Sequence, residues 1–543
     1  MLFDAAQHAQ VNIMSRSAKL QALVVCAHLR PGRNKRRSRY VMQPISGLHI
    51  ASLVGEEGFD VRLHHEDWHG PFGVSARRRY DLVFLTGLQV DFDRMRQLAF
   101  HFRRDGAVVA AGGSICTLFP EFAAEFFDVV CAGGVESAAE VAADFLAGRL
   151  KPIYRSPITA IRPYRVDYRH FVRNRISPSM HLVESSRGCS FRCAFCTMPS
   201  EVGGHAGYRL DALAEALDSA AASAPLFSFR RWYPTVLLLD NNFSDDRAHM
   251  LAVSELLRAR RDVRGWGALV TQNVLNDREL LRLLARSKCN GLFIGLESLD
   301  RELLRRHNKT QNLGRRDVIE DIAYAESLGI GVTYGYLFDP RRQTAAEMRR
   351  QIETIARHPT MPMPTYMSVI APLVGTKAFW DEAEAGSLAP NLRLRDLDGE
   401  TIAYADLADD PAALVDFVEK LFRRPWEVVG RWGVLAKTIR RLFRSGTLNP
   451  IRWYFIAAAN LHCFVWSRAE KSAKRTYLAG TDTLDPQYFE RPADLSEEDR
   501  RRYFDPIVVT EADGALAAWL RPALKARAEG RKSLHMEPTD EPL

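Results

Sequence analysis

The chain has few cysteines for its length, eight in 543 residues, and they form no spaced disulfide framework. It has no apolar run long enough for a membrane span. The longest candidate, Ile451 to Trp466, is interrupted by Arg452, Asn460 and His462. Met1 to Leu20 holds Asp4, Gln7, His8, Gln10 and Asn12 and has no apolar leader core, so a cytoplasmic protein is expected. No recognisable RNA-binding module is present, and nucleic acid is not an expected partner. There is no second C-x2-C pair of the kind that closes a structural zinc site.

Against that scarcity, three of the eight cysteines fall within eight positions: Cys189, Cys193 and Cys196, in Ser186-Arg187-Gly188-Cys189-Ser190-Phe191-Arg192-Cys193-Ala194-Phe195-Cys196. Three thiolates spaced C-x3-C-x2-C suit three irons of a cubane cluster and leave the fourth iron open for a substrate. Incidental buried cysteines and structural zinc are the alternatives.

The rest of the chain reads as strand–helix alternation. Leu20–Ala27, Phe59–His64, Asp81–Thr86, Ala107–Ala111 and Phe127–Ala132 are expected strands with helices between them, which predicts a doubly wound parallel sheet. From His181 onward six more strands are expected, including Thr235–Asp240, Trp266–Thr271, Gly291–Gly295, Gly331–Leu337 and Met367–Ala371. The fold class is therefore α/β. A Rossmann-like sheet over 18–150 leads through a linker, 151–178, to a partial barrel over 179–400. A mostly helical region, 401–521, and a mobile polar tail, 522–543, follow.

The cysteine loop, with aromatic Phe195 before the third cysteine, resembles the radical S-adenosylmethionine (SAM) superfamily. The resemblance implies a (β/α)6 partial TIM barrel, a 4Fe–4S cluster on the three cysteines, and SAM bound at the open iron. SAM cleavage would yield a radical that abstracts hydrogen. It also implies SAM-site or substrate-site roles for Arg209 (in Tyr208-Arg209), Asp240, Asn242, and Glu297 with Ser298 (in Gly295-Leu-Glu-Ser298). Pro372-Leu-Val-Gly375-Thr376 is similar to the sixth-strand signature, with Val374 in place of proline.

The first sheet resembles the cobalamin-binding domain of cobalamin-dependent radical SAM enzymes. Gly87, the run Gly112-Gly113-Ser114-Ile115-Cys116-Thr117, and Gly133-Gly134-Val135-Glu136 sit where strands end, and ligands of such sheets bind at those ends. The resemblance assigns Gly87, Gly112, Gly113, Ser114, Gly133 and Glu136 to cobalamin. The D-x-H-x-x-G motif that supplies a cobalt-binding histidine elsewhere is absent: Asp67-Trp68-His69-Gly70 has the wrong spacing, and His28 lacks the flanking residues. Cobalt without a protein histidine is expected.

The implied activity is a cobalamin-dependent methyltransferase acting on an unactivated carbon of a small molecule, lipid or natural product. Ring formation, oxidation or rearrangement by the same cofactors is the alternative, and a cobalamin-binding sensor is the reading from another class. A net charge of +8, with basic runs at Arg30–Arg39 and Arg440–Arg444, fits a solvated face, an anionic substrate or lipid surface, or an acidic electron donor of the flavodoxin or ferredoxin kind.

Overall fold

The structure is a computed structural model that describes residues 19–29, 45–73, 79–314, 316–423, 430–466, 477–479 and 491–510. The basic run Arg30–Arg39, the first 18 residues and the 522–543 tail lie outside these. The chain forms two compact units.

The first unit is built on six parallel strands: β1 (Gln21–Cys26), β2 (Asp60–His65), β3 (Leu82–Gly87), β4 (Val108–Gly113), β5 (Val129–Gly133) and β6 (Ile153–Ser156), in the order β2-β1-β3-β4-β5-β6. Ala22, Leu23, Val24 and Val25 are fully buried, as expected of a central parallel strand with both faces covered. The sequence predicts five strands here; the sixth, β6, comes from the expected linker. Its Ile153, Tyr154 and Ser156 pair with Val130, Cys131 and Gly133, a non-local edge pairing that a run of four residues does not announce. The rest of that stretch folds back on the same unit. Asp167 N–H donates to Ser52 Oγ at 2.9 Å, and Leu63 N–H to Asn174 Oδ1 at 3.1 Å.

The second unit holds β7 (His181–Val183), β10 (Thr235–Leu238), β11 (Gly265–Val270), β12 (Cys289–Glu297), β13 (Gly331–Phe338) and β14 (Tyr366–Val369), all parallel, in the order β14-β13-β12-β11-β10-β7. This is the six-stranded half-barrel anticipated from sequence. A two-stranded antiparallel hairpin, β8 (Ser186–Gly188) with β9 (His205–Gly207), was not anticipated; it brackets the cysteine loop. Gly188 has φ +86°, and a Cβ there would stand 2.0 Å from the Gly204 carbonyl oxygen, so this strand end requires glycine.

The helices between barrel strands start on side-chain caps. Asp246 accepts from Ala248 and His249 N–H, and Asp277 from Leu280 N–H at 2.9 Å. Thr344 and Glu347 cap each other reciprocally.

Described residues beyond 400 divide between the two units. Helices Pro411–Arg423, Arg431–Arg444 and Pro450–Trp466 belong to the second. Residues 491–510 belong to the first, where Tyr503 and Phe504 pack on Phe100 with ring centroids 5.4 and 5.2 Å away.

Candidate radical SAM site

The cysteines lie on the loop that leaves β7 and β8, at the carboxyl end of the half-barrel, the end that carries chemistry in barrel folds. Asp240, directly after β10, fixes the approach to this loop. It is fully buried and accepts from Ser185 N–H at 2.7 Å, Ser185 Oγ at 2.5 Å and Ser186 Oγ at 2.9 Å. Burial pushes its carboxyl up to about 6, against the lowering effect of the Ser185 and Ser186 hydrogen bonds. The structure thus gives Asp240 a positioning task. Asn241 Oδ1 accepts from Gly188 N–H at 2.9 Å and secures the same turn.

None of the three cysteines is in a disulfide. Cys193 is buried; Cys189 and Cys196 are partly exposed. Two of the sulfurs receive a side-chain amide: Asn242 Nδ2 donates to Cys189 Sγ at 3.5 Å, and Gln311 Nε2 to Cys193 Sγ at 3.3 Å. Burial raises the Cys189 thiol and pushes Cys196 up to about 11, with the neighbouring cysteines adding to both. Free thiols that influence one another and are approached by N–H donors fit cluster thiolates, whose charge the irons compensate. Among the described residues no three His, Cys, Asp or Glu side chains converge on one point as the ligands of a single ion would.

Lys309 is the principal residue of this neighbourhood that sequence reading missed. Its Nζ is 3.0 Å from Glu297 Oε1, and both side chains are largely buried. The same Nζ stands 5.6 Å from the Phe195 ring centroid. Burial alone would lower the Lys309 ammonium, but Glu297, Cys193 and Cys196 together hold it above its ordinary value. Glu297 reaches this pair from a bulge: β12 slips register against β13 between Gly295 and Glu297, and Glu297 has φ +63°. Ser298 is buried beside it and accepts from Asp300 N–H at 3.0 Å. No motif marked Lys309 or Gln311; both follow a helix, Arg301–Arg306, whose fold-back only the tertiary structure shows. That helix meets the loop directly, with Ala194 N–H donating to the His307 carbonyl at 2.9 Å and Phe195 edge-on to His307.

Arg209 is not brought to this site. It is exposed and pairs with Asp211, at 2.5 Å. Its neighbour Tyr208 takes an inward position, donating to Glu184 Oε2 at 2.6 Å; Arg187 Nε holds the same oxygen at 2.8 Å. A polar cavity of about 130 Å³ touches Ala194, Arg306, His307, Asp339, Arg341 and Arg342. It is smaller than the roughly 300 Å³ that small-molecule pockets usually start from.

In the first unit the glycine-lined strand ends are partly dictated by backbone. Gly113 has φ +113°, and a Cβ there would fall 2.3 Å from the Gly87 carbonyl oxygen; at Gly133, φ +106°, it would fall 1.9 Å from the Ser156 carbonyl oxygen. At Gly87 it would press on Asp91 Cβ at 2.8 Å, whereas Gly112 would meet Cys131 at an ordinary 3.5 Å. A side chain at Gly113 would therefore disturb the sheet first, before any ligand. Ser114 accepts from Gln89 Nε2 at 3.2 Å, and Glu136 is buried. Two features of this edge do suit a large ligand. Leu88, just past β3, is exposed, and His65, at the end of β2, is buried with neither ring nitrogen hydrogen-bonded among the described residues. His69 is committed elsewhere: its Nδ1 accepts from His65 N–H at 2.9 Å and its Nε2 bonds the Asn174 carbonyl at 2.8 Å.

Residues 183–348 match the radical SAM superfamily. A bacteriochlorophyllide d C-8(2)-methyltransferase of Chlorobaculum tepidum is 25% identical over 340 residues, 60% of this chain and 73% of the relative. Among solved structures, the cobalamin-dependent SAM radical enzyme OxsB with aqua-cobalamin bound superposes with TM-score 0.55 at 14% identity, covering 83% of this chain and 72% of that one. The radical SAM methyltransferase TsrM from Kitasatospora setae, with cobalamin and a [4Fe-4S] cluster bound, gives TM-score 0.55 at 16% identity, covering 83% of this chain and 100% of that one. At these identities the structural likenesses establish the fold. Residues 183–348 thus carry a radical SAM domain, with its three-thiol loop at the carboxyl end of a parallel half-barrel, and the chain has the two-sheet fold of those solved cobalamin-dependent radical SAM enzymes.

Proposed function

We propose that the protein is a cobalamin-dependent radical SAM methyltransferase acting on a carbon of a small molecule, lipid or natural product. The observation that carries the reading is the Cys189–Cys196 loop with N–H donors on its sulfurs, joined in one chain to a doubly wound sheet with glycine-lined carboxyl ends. When bound, a 4Fe–4S cluster supplies the electron that cleaves SAM, and cobalamin supplies a methyl carrier.

The chain's own residues do the rest. Cys189, Cys193 and Cys196 hold the cluster; Asn242 and Gln311 orient two of those sulfurs. Asp240 anchors the loop through Ser185 and Ser186. Lys309 and Glu297 place one buried charge of each sign beside it. Cobalamin belongs at the carboxyl edge of the first sheet, around Leu88, Gly112, Ser114 and Glu136. His69, with both ring nitrogens already bonded to protein, would not be free to ligate cobalt. The cysteine loop carries exposed Arg192, and exposed Arg306 and Arg342 line the cavity beside Ala194. Those arginines, with Asp339, Asp381 and Glu382 lining the same cavity, offer a mixed-charge rim on which a flavodoxin- or ferredoxin-like electron donor in the cytoplasm would dock.

The C. tepidum relative is named a bacteriochlorophyllide d C-8(2)-methyltransferase, which favours methyl transfer over ring formation or oxidation. The test is anaerobic reconstitution followed by iron, sulfide and cobalamin analysis, with SAM carrying a deuterated methyl group. Wild type is expected to bind one cluster, retain cobalamin and release 5′-deoxyadenosine. Extracts of a deletion strain should then gain a deuterated methyl product. A cluster that survives Cys189→Ala/Cys193→Ala/Cys196→Ala would overturn the site. Normal cluster chemistry without cobalamin retention would overturn the methyltransferase reading alone.

A further inference from the structure

The helix Arg431–Arg444 is built inside out. Its buried positions are Val434, Lys437, Thr438 and Arg441, three of the four polar. Lys437 Nζ donates to the carbonyls of Ile355 and Met361, Thr438 Oγ1 accepts from Asn460 Nδ2 at 2.6 Å, and Arg441 forms a buried ion pair with Glu326. Its aromatic residues and two of its large aliphatic ones face out: Trp432 is 83% exposed, Phe443 82%, and Leu435 and Ile439 are also exposed. Positions 432, 435, 439 and 443 follow the i, i+3, i+7, i+11 pattern of one helical stripe. A soluble helix normally turns such a stripe to the core. Here polar anchors fix the stripe outward.

A second segment does the same. Between Ala224 and β10, Leu226, Phe227, Phe229 and Trp232 are exposed, Phe227 at 95%. Both segments stand at the end of the half-barrel where strands begin. The second runs straight into Thr235 of β10, and its Tyr233 lies within electrostatic reach of Arg452 on the next helix, Pro450–Trp466. The cysteines and Glu297 are at the other end. A single isolated exposed Leu is ordinary; eight large apolar side chains from two segments at one end are not.

Charge identifies the occupant. From Gly430 to Trp466 there is no Asp or Glu against six Lys and Arg. Arg440 and Arg444 flank the stripe, are exposed and make no ion pair among the described residues, and Arg231 is exposed beside Trp232. Two copies docked through this face would set like charges together. Aromatic and aliphatic side chains ringed by arginines match a headgroup–acyl boundary with anionic lipids. No described helix is long and apolar enough to cross a membrane, so the surface would lie on a bilayer.

We propose that this end of the second unit is a membrane-docking surface for anionic lipid bilayers. Trp432, Ile439, Phe443 and Trp232 insert between headgroups, while Arg231, Arg440 and Arg444 pair with lipid phosphates. The inference stands apart from the cofactor and methyl-transfer readings, since no residue in it touches the site. Docked this way, the carboxyl end of the barrel faces away from the bilayer.

The experiment is co-sedimentation of the full-length, cluster-loaded protein with vesicles of phosphatidylcholine containing one quarter phosphatidylglycerol, against pure phosphatidylcholine. Wild type should sediment with the anionic vesicles and weaken as salt rises. Trp432→Ser/Phe443→Ser should lower partitioning about tenfold or more. Arg440→Gln/Arg444→Gln should lower it about tenfold on anionic vesicles and leave neutral ones unchanged. All variants should keep wild-type melting and 5′-deoxyadenosine formation. Wild type that stays in the supernatant at low salt overturns the proposal. So does sedimentation indifferent to these variants. A dimer in sedimentation velocity that the same variants split would reassign the surface to a second copy, and an acidic protein captured by wild type that displaces it from vesicles would reassign it to that partner.

Discussion

Replacing Lys309 with methionine tests whether the buried Lys309–Glu297 pair sets the charge at the cluster loop. At 3.0 Å, two unit charges attract by about 5 kcal/mol at an effective dielectric of about 20. Desolvation of both groups offsets much of that in the intact protein. Methionine fills the stem's volume but leaves the Glu297 carboxylate buried and unpaired, a change that costs about 3–5 kcal/mol. In a unit of this size that lowers the melting midpoint by about 5–8 °C.

The same ammonium stabilises the Cys193 and Cys196 thiolates, so it also stabilises an electron added next to them. An effect on the order of 1–2 kcal/mol at that range converts to about 40–90 mV for a one-electron couple. Spin-resonance redox titration of the reconstituted cluster is the assay. Lys309→Met should move the midpoint potential down and Glu297→Gln should move it up. Lys309→Met/Glu297→Gln should return near wild type, and Lys309→Arg should hold both potential and stability. Shifts of the same sign in the two single variants, or an unchanged potential in Lys309→Met, would refute the reasoning.

Two further outcomes follow from the first unit. Gly113→Ala should destabilise that unit strongly, because its φ of +113° and a Cβ 2.3 Å from the Gly87 carbonyl oxygen force the β3–β4 edge apart. Gly112→Ala, with ordinary contacts, should melt close to wild type, and equal melting of the two would contradict this account. Burial lowers His64 to about 4 and His65 to about 3. The unfolded chain therefore takes up protons near pH 6.5 that the folded unit refuses. Stability should be full above pH 6.5 and fall as pH drops toward 4, by up to about 2.7 kcal/mol per pH unit for two such groups. Amide exchange on β1 and β2 across that range measures it. His65→Phe should roughly halve the slope; an unaltered slope would show that His65 does not carry it.

Sequence by itself determined the elements whose signal is local. The cysteine loop was legible because three thiols within eight residues suit an iron–sulfur cluster and little else. The half-barrel strands were legible because short apolar runs recur between helical patterns. The tertiary structure decided what depends on distant partners. β6 is a strand only because β5 offers an edge to it. Ser186–Gly188 pairs because His205–Gly207 folds back. Arg209 was placed by a two-residue match, yet solvent and Asp211 hold it outside, while Lys309 and Gln311, which no motif marks, arrive through the fold-back after Arg301–Arg306. The outward stripe of Arg431–Arg444 has the same origin. Periodicity shows that the helix has two faces, but only the Glu326 carboxylate and the Ile355 and Met361 carbonyls, waiting beneath it, turn the polar one inward.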